Sequence, residues 1–159
     1  MWIIDFEASG LSKQSYPIEV GLTNGSDEYQ ALIKPMPHWQ YWSDEAEAVH
    51  TLSKSKLESD GLNPAHVAHA LNNKLSGQLV YCDSVQWDGF WCNVLFADSS
   101  IHQRFEVLDI QELLKDSDNH LETFLAARSK LENVDEYTVH RALDDAKIIW
   151  QALNLARKN

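Results

Sequence analysis

Asp5 and Glu7 stand two residues apart in the segment Trp2-Ile3-Ile4-Asp5-Phe6-Glu7, whose other members are all apolar. Such a run predicts a buried strand, with Ile3, Asp5 and Glu7 on one face and Trp2, Ile4 and Phe6 on the other. The two carboxylates therefore emerge side by side. Burying like charges is costly unless one is protonated, an arginine pairs with them, or a divalent cation binds between them. The nearest basic residue in the sequence, Lys13, lies beyond the turn predicted at Ser9-Gly10. An edge strand with solvated acids is the plainer explanation. The flanking Trp2, Ile3, Ile4 and Phe6 instead describe a central strand, and a cation site accounts better for the pair.

Further candidates lie far along the chain. His140-Arg141-Ala142-Leu143-Asp144-Asp145-Ala146 leads into the last predicted helix. At roughly 100° per residue, Ala142, Ala146, Ile149, Trp150 and Leu153 cluster on one face, Asp145 falls at its edge, and Asp144 points almost oppositely. Asp145 is thus aimed along the core boundary, while Asp144 is the solvated acid of a first helical turn. In mid-chain, Trp87-Asp88-Gly89-Phe90-Trp91 puts an acid at the start of an aromatic helix, where acids more often serve the helix terminus than a ligand. Asp83, just past a strand ending in Cys82, is the rival of Asp88. His66 and His69 share a helical face but have no third ligand near them in sequence.

These residues need elements to hold them. Strands are predicted at 2–7, 18–23 and 29–34, the last two joined by Asn24-Gly25-Ser26-Asp27, a composition suited to a tight hairpin. The first three strands then run sequentially and antiparallel. A loop with Pro35, Pro37, Trp39, Tyr41 and Trp42 follows, the aromatic rings serving chiefly as wedges beneath it, with lining the path of a bound ligand as the alternative. Ser43 caps a short helix with Asp44 and Glu45 in its first turn, and a second helix after Ser53 stops at Gly61. Asn63-Pro64 opens a helix to about Ser76, with Val67, Ala68, Leu71 and Leu75 as its apolar stripe and Gly77 as its end. A strand at 78–82, a helix from about Trp87 to Ala97 and a strand at 105–110 come next. A polar, helix-rich stretch to Asn133 and a terminal helix at 141–156 complete the chain. Early hairpin strands followed by alternating helices and strands make a mixed α/β sheet with helices packed on it.

Composition bounds the rest. A chain of 159 residues without internal repeat or linker suits one compact domain, residues 1–159. Its apolar runs are too short for a membrane span, and the segment after Met1 lacks the pattern of a secretory leader, so a cytoplasmic location is expected. Cys82 and Cys92 are too few and too isolated for a disulfide framework or a zinc site, and are expected to be buried thiols. With 13 Lys and Arg against 24 Asp and Glu, the net charge is −11. Such a chain is poorly suited to holding long nucleic acid by counterion release. Two bound divalent ions would offset roughly four of the negative charges.

In order and spacing, Asp5-Phe6-Glu7, Trp87-Asp88-x-x-Trp91 and His140-x-Ala142-x-x-Asp145 resemble the three motifs of the DEDDh 3′-to-5′ exonucleases. That family includes replicase proofreading subunits, ribonuclease T and oligoribonuclease. The chain departs from its pattern at Ser84 and Trp87, where Asn and Phe are usual. It departs again at Thr51, which follows His50 where Gly is usual. The resemblance implies a ribonuclease-H-like fold, a five-stranded mixed sheet flanked by helices with the first three strands antiparallel. It also implies hydrolysis of phosphodiester bonds from a free 3′ end, releasing nucleoside 5′-monophosphates, with two Mg2+ or Mn2+ ions as cofactors. Asp5, Glu7 and Asp145 are assigned to one ion and Asp5 with Asp88 to the other. His140 is the general base, because an imidazole can accept a proton near neutral pH.

The turn Ala8-Ser9-Gly10-Leu11, together with His50 and the rings of Phe6, Trp87 and Trp91, is assigned to the terminal nucleotide. The expected partners are 3′ ends of DNA or RNA, single-stranded or short, with no membrane; a homodimer is one assembly that the resemblance allows. A protein-binding module on a nuclease-like domain and a phosphoesterase for small nucleotides are the competing functions. The complete set of acids with its histidine favours the nuclease, since a non-catalytic domain has no physical need to keep these charges together.

Overall fold

The computed structural model describes residues 1–115 and 118–158. Its strands are β1 (Trp2–Ala8), β2 (Pro17–Thr23), β3 (Glu28–Leu32), β4 (Leu79–Cys82) and β5 (Glu106–Asp109). They form one mixed sheet in the order β3-β2-β1-β4-β5. The first three are antiparallel, while β4 runs parallel to β1 and β5 parallel to β4. Asn24 N bonds Asp27 O at 3.0 Å to close the first hairpin, where Gly25 takes φ 90°.

The apolar run of β1 places it at the centre of the sheet. Ile4 and Phe6 enter one core, formed with α3 (Pro64–Leu75) and α4 (Phe90–Asp98). Ile3 enters the other, formed with α5 (Gln111–Leu114), α6 (Asp118–Leu131) and α7 (Ala142–Ala156). Asp5 and Glu7 share the face of Ile3 and so rise toward α7. That helix lies across β1 and β2. Gly21 of β2 allows the close approach, because a Cβ there would stand 2.1 Å from Leu143 N.

Side-chain caps set the remaining boundaries. Ser43 accepts from Ala46 N to begin α1 (Asp44–His50), Ser53 from Lys56 N to begin α2 (Lys54–Asp60), and Asn63 from Ala65 N to begin α3. Such caps satisfy amides that a helix leaves open at its first turn. One element differs from its predicted form. Residues Val85–Gly89 make a π-type turn that runs into α4, so the helix expected from Trp87 starts earlier and wider. Asp88 lies in this turn, and its carboxylate serves β1 instead of capping its own helix. Cys82 and Cys92 are buried, unpaired thiols whose burial pushes their pKa values up. No helix among the described residues is long and apolar enough to cross a membrane.

Candidate metal centre

Strand β1 outruns its parallel neighbour: pairing with β4 ends at Ile3 and Tyr81. A buried amide beyond that point needs another acceptor. Asp88 supplies it, taking Phe6 N at 3.1 Å and Ser84 N at 3.3 Å, and is only 4% exposed. On the other side, the turn before α7 delivers the last acid. His140 adopts a left-handed conformation, φ 64°, and its N–H bonds Asp145 Oδ2 at 2.9 Å. Asp144 instead accepts from Thr138 N at 3.0 Å and lines a different cavity with Lys147 and Trp150. One ligand atom each from Glu7, His140 and Asp145 lie within 4.8 Å of one another.

The electrostatics of this cluster are those of acids without a counter-ion of their own. Burial, followed by the charges of Asp88, Asp145 and Glu7, holds Asp5 well above the usual carboxylate range. Burial and then Asp145 push Glu7 up to about 8. Burial raises Asp88 to about 7 against the two amide bonds it accepts, and raises Asp145 to about 6 against the bond from His140 N. The neighbouring guanidinium groups are committed elsewhere. Arg128 bonds Asp83 and reaches Glu132 at 2.8 Å, which also gives Asp83 a partner of its own. Arg141 reaches Glu19 at 2.7 Å. Glu7 and Asp145 beside His140 fit a site for hard divalent cations, which take oxygen ligands; Asp5 and Asp88 lie outside that three-residue cluster but near enough for their charges to act on it.

Glu19 was not singled out by the sequence reading. It is fully buried, opposite Glu7 on β2, and accepts from Arg141 Nε and Nη2, Ala142 N and Gln30 Nε2. These bonds tie the first residues of α7 to β2, immediately after His140. The signal for it was a lone acid in the apolar run Pro17-Ile18-Glu19-Val20.

The residues assigned to the terminal nucleotide divide. A cavity of about 260 Å³ beside Glu7 and His140 is lined by Ala8, Gly10, Leu11, His50 and Trp91, with Ala46 and Val49 from α1. Gly10 is required there, since a Cβ would meet the Tyr41 ring at 2.7 Å. Phe6 does not reach this cavity: it is 4% exposed in the opposite core, as the parity of the strand dictates. Ser9 is also buried, its hydroxyl accepting Tyr16 N at 3.1 Å, so it shapes the turn. Trp87 stacks on Trp91 with ring centroids 5.5 Å apart and supports it from outside the lining. His50 Nδ1 accepts Leu52 N at 3.0 Å, which assigns the ring proton to Nε2. That Nε2 is buried and has no partner. Burial lowers the pKa of the ring and keeps it neutral. His66 and His69 are exposed and join no metal-ligand cluster among the described residues.

No protein-family model matches the sequence, and no curated protein does. Solved structures do match. Exonuclease I of E. coli in complex with a dA16 oligonucleotide aligns at a TM-score of 0.74 over 99% of this chain, with 13% identity. The fold is ribonuclease-H-like, as in exonuclease I. The zinc-bound form of the E. coli exonuclease I complex with single-stranded DNA gives 0.74 at 12% identity. A moderately thermophilic exonuclease I from Methylocaldum szegediense gives 0.69 at 14%. This chain spans 40% of the length of each of these proteins.

Proposed function

We propose that this chain is a metal-dependent 3′-to-5′ exonuclease that releases nucleoside 5′-monophosphates from single-stranded nucleic acid. The observation that carries this reading is the gathering of Glu7, His140 and Asp145, one ligand atom each within 4.8 Å, with Asp5 and Asp88 near enough for their charges to act on the same acids. Asp5, Glu7 and Asp145 would hold one ion, and Asp5 with Asp88 a second. Two Mg2+ or Mn2+ ions supply a nucleophile at neutral pH and offset charge on the phosphoryl and departing oxygens. The protein provides the rest. His140, exposed at the mouth of the cavity, takes the proton of the attacking water. The Asp145 bond to its N–H and the Glu19–Arg141 pair behind it fix the turn that carries the ring. His50 Nε2–H offers a donor to an oxygen of the terminal nucleotide, while Leu11, Val49 and Trp91 give its base an apolar surface.

Exonuclease I complexes with oligonucleotides on the same fold support the substrate class. The first test is substitution of the acids. Asp5→Asn and Glu7→Gln should each lower hydrolysis of a labelled single strand in Mg2+ by at least about 10²-fold. Each should leave the metal-free protein as stable as the parent or more so, because one member of a repelling set is removed. Full activity in either variant contradicts the assignment.

A further inference from the structure

A groove beside the 35–42 loop measures about 610 Å³, more than twice the cavity next to His140. Lys34, just past β3, and Lys54, at the start of α2, face it, with Met36, Pro37 and Trp39 as an apolar wall. Trp39 is held in place, its ring stacked at 5.1 Å on Tyr16, which lines the same groove, and its Nε1 bonded to Asp98. This wall is therefore preformed.

The groove is joined to the candidate active site through one indole. Lys54 Nζ lies 5.2 Å from the centroid of Trp42; that ring also meets His50, at 5.9 Å, which lines the catalytic cavity, and its Nε1 donates to Glu47 Oε2 at 2.7 Å. The charges differ in their commitments. Lys34 Nζ is 3.5 Å from Glu58, which also lines the groove, whereas Lys54 has no carboxylate partner among the described residues. Nor does the charge of Lys54 serve its helix, since a cation at a helix start opposes the macrodipole. On a chain of net charge −11, a lysine without a carboxylate partner, resting on an indole beside an apolar wall, is a specific feature.

We infer that this groove holds the single strand upstream of the 3′ end, with a phosphate on Lys54 and a base against Met36, Pro37 and Trp39. The inference rests on the exonuclease reading and adds to it the path of the strand. Cationic side chains alternating with apolar or aromatic surface are how proteins hold single strands without reading sequence. Glu58 sets a limit on the grip: it occupies Lys34, so the groove acts chiefly through one cation.

The test uses Lys54→Glu, with Lys56→Glu as control, a residue exposed on the same helix outside the groove and paired with Asp60. Binding of a fluorescent strand of about twelve nucleotides with a non-hydrolysable 3′ linkage is followed by anisotropy across salt concentrations in Mn2+. Hydrolysis of the p-nitrophenyl ester of thymidine 5′-monophosphate, too short to reach the groove, is followed in parallel. Lys54→Glu should weaken the long strand roughly tenfold and flatten its log–log salt slope by roughly 0.7. Ester hydrolysis should stay at the parental rate, and Lys56→Glu should bind as the parent does. Equal binding by Lys54→Glu and the parent, or equal weakening by both variants, overturns the groove. A parent that neither binds the strand nor hydrolyses the ester overturns the exonuclease reading beneath it.

Discussion

Glu7 at about 8, Asp88 at about 7 and Asp145 at about 6 hold protons more tightly in the folded chain than in the unfolded one, where carboxyl groups titrate near pH 4. Stability from such groups is fully present below the unfolded values and is lost as pH rises through the folded ones. The metal-free protein should therefore show a falling Tm between about pH 4 and 8. Divalent ions, which bind only the ionised carboxylates, should raise Tm more at pH 8 than at pH 6. Thermal melts in EDTA, Mg2+ and Mn2+ across that range check both signs; a flat metal-free profile without a metal-dependent rise contradicts the cluster and favours a protein-binding module. At this scale the sequence was informative where chemistry depends on parity. Asp5 and Glu7 had to share a face, and the same rule, applied to Phe6, would have put its ring in the far core. The orphan Nε2 of His50 was not legible, because it follows from which ring nitrogen Leu52 N happens to find.

Among the elements, the turn at 138–141 is the one whose shape the chemistry needs, and it is held from outside itself. Glu19 takes three bonds from Arg141 and one from Ala142 N, from a strand more than a hundred residues earlier. Glu19→Gln keeps the shape but weakens the hold. It should lower kcat about 10- to 100-fold, the usual scale for residues that orient a ligand set, while the Mn2+-dependent rise in Tm persists. Arg141→Ala strands a buried carboxylate and should cost about 3 kcal/mol of stability, part of which Glu19→Gln restores in the double variant. Unchanged kcat in Glu19→Gln would reduce the pair to packing. The hairpin that sets the first three strands antiparallel and the helix caps were legible because Asn24-Gly25, Ser43, Ser53 and Asn63-Pro64 each act locally. The π-type turn at 85–89 was not, since Asp88 leaves its helix for an amide of β1, a contact between residues 82 apart.

For the molecule as a whole, a net charge of −11 predicts weak hold on long strands, and 13 cations scattered through the sequence gave no sign of a track. Folding changes that reading locally. Lys34 N bonds Leu62 O at 2.9 Å, drawing the end of β3 against the chain that follows α2 and setting Lys34 and Lys54 on one groove. On the proposed reading, digestion should still be distributive, with most affinity coming from the terminal nucleotides and the salt slope corresponding to few phosphate contacts. The central claim concerns polarity and metal together. A 5′-labelled single strand with a free 3′-hydroxyl, and the same strand bearing a 3′-phosphate, are incubated with the protein in Mn2+ and in EDTA. The proposed chemistry predicts stepwise shortening of the first strand from its 3′ end with nucleoside 5′-monophosphates as products, resistance of the phosphorylated strand, and no reaction in EDTA. Cleavage that persists in EDTA, internal cuts in place of a ladder, or an undigested 3′-hydroxyl strand in Mn2+ would contradict it.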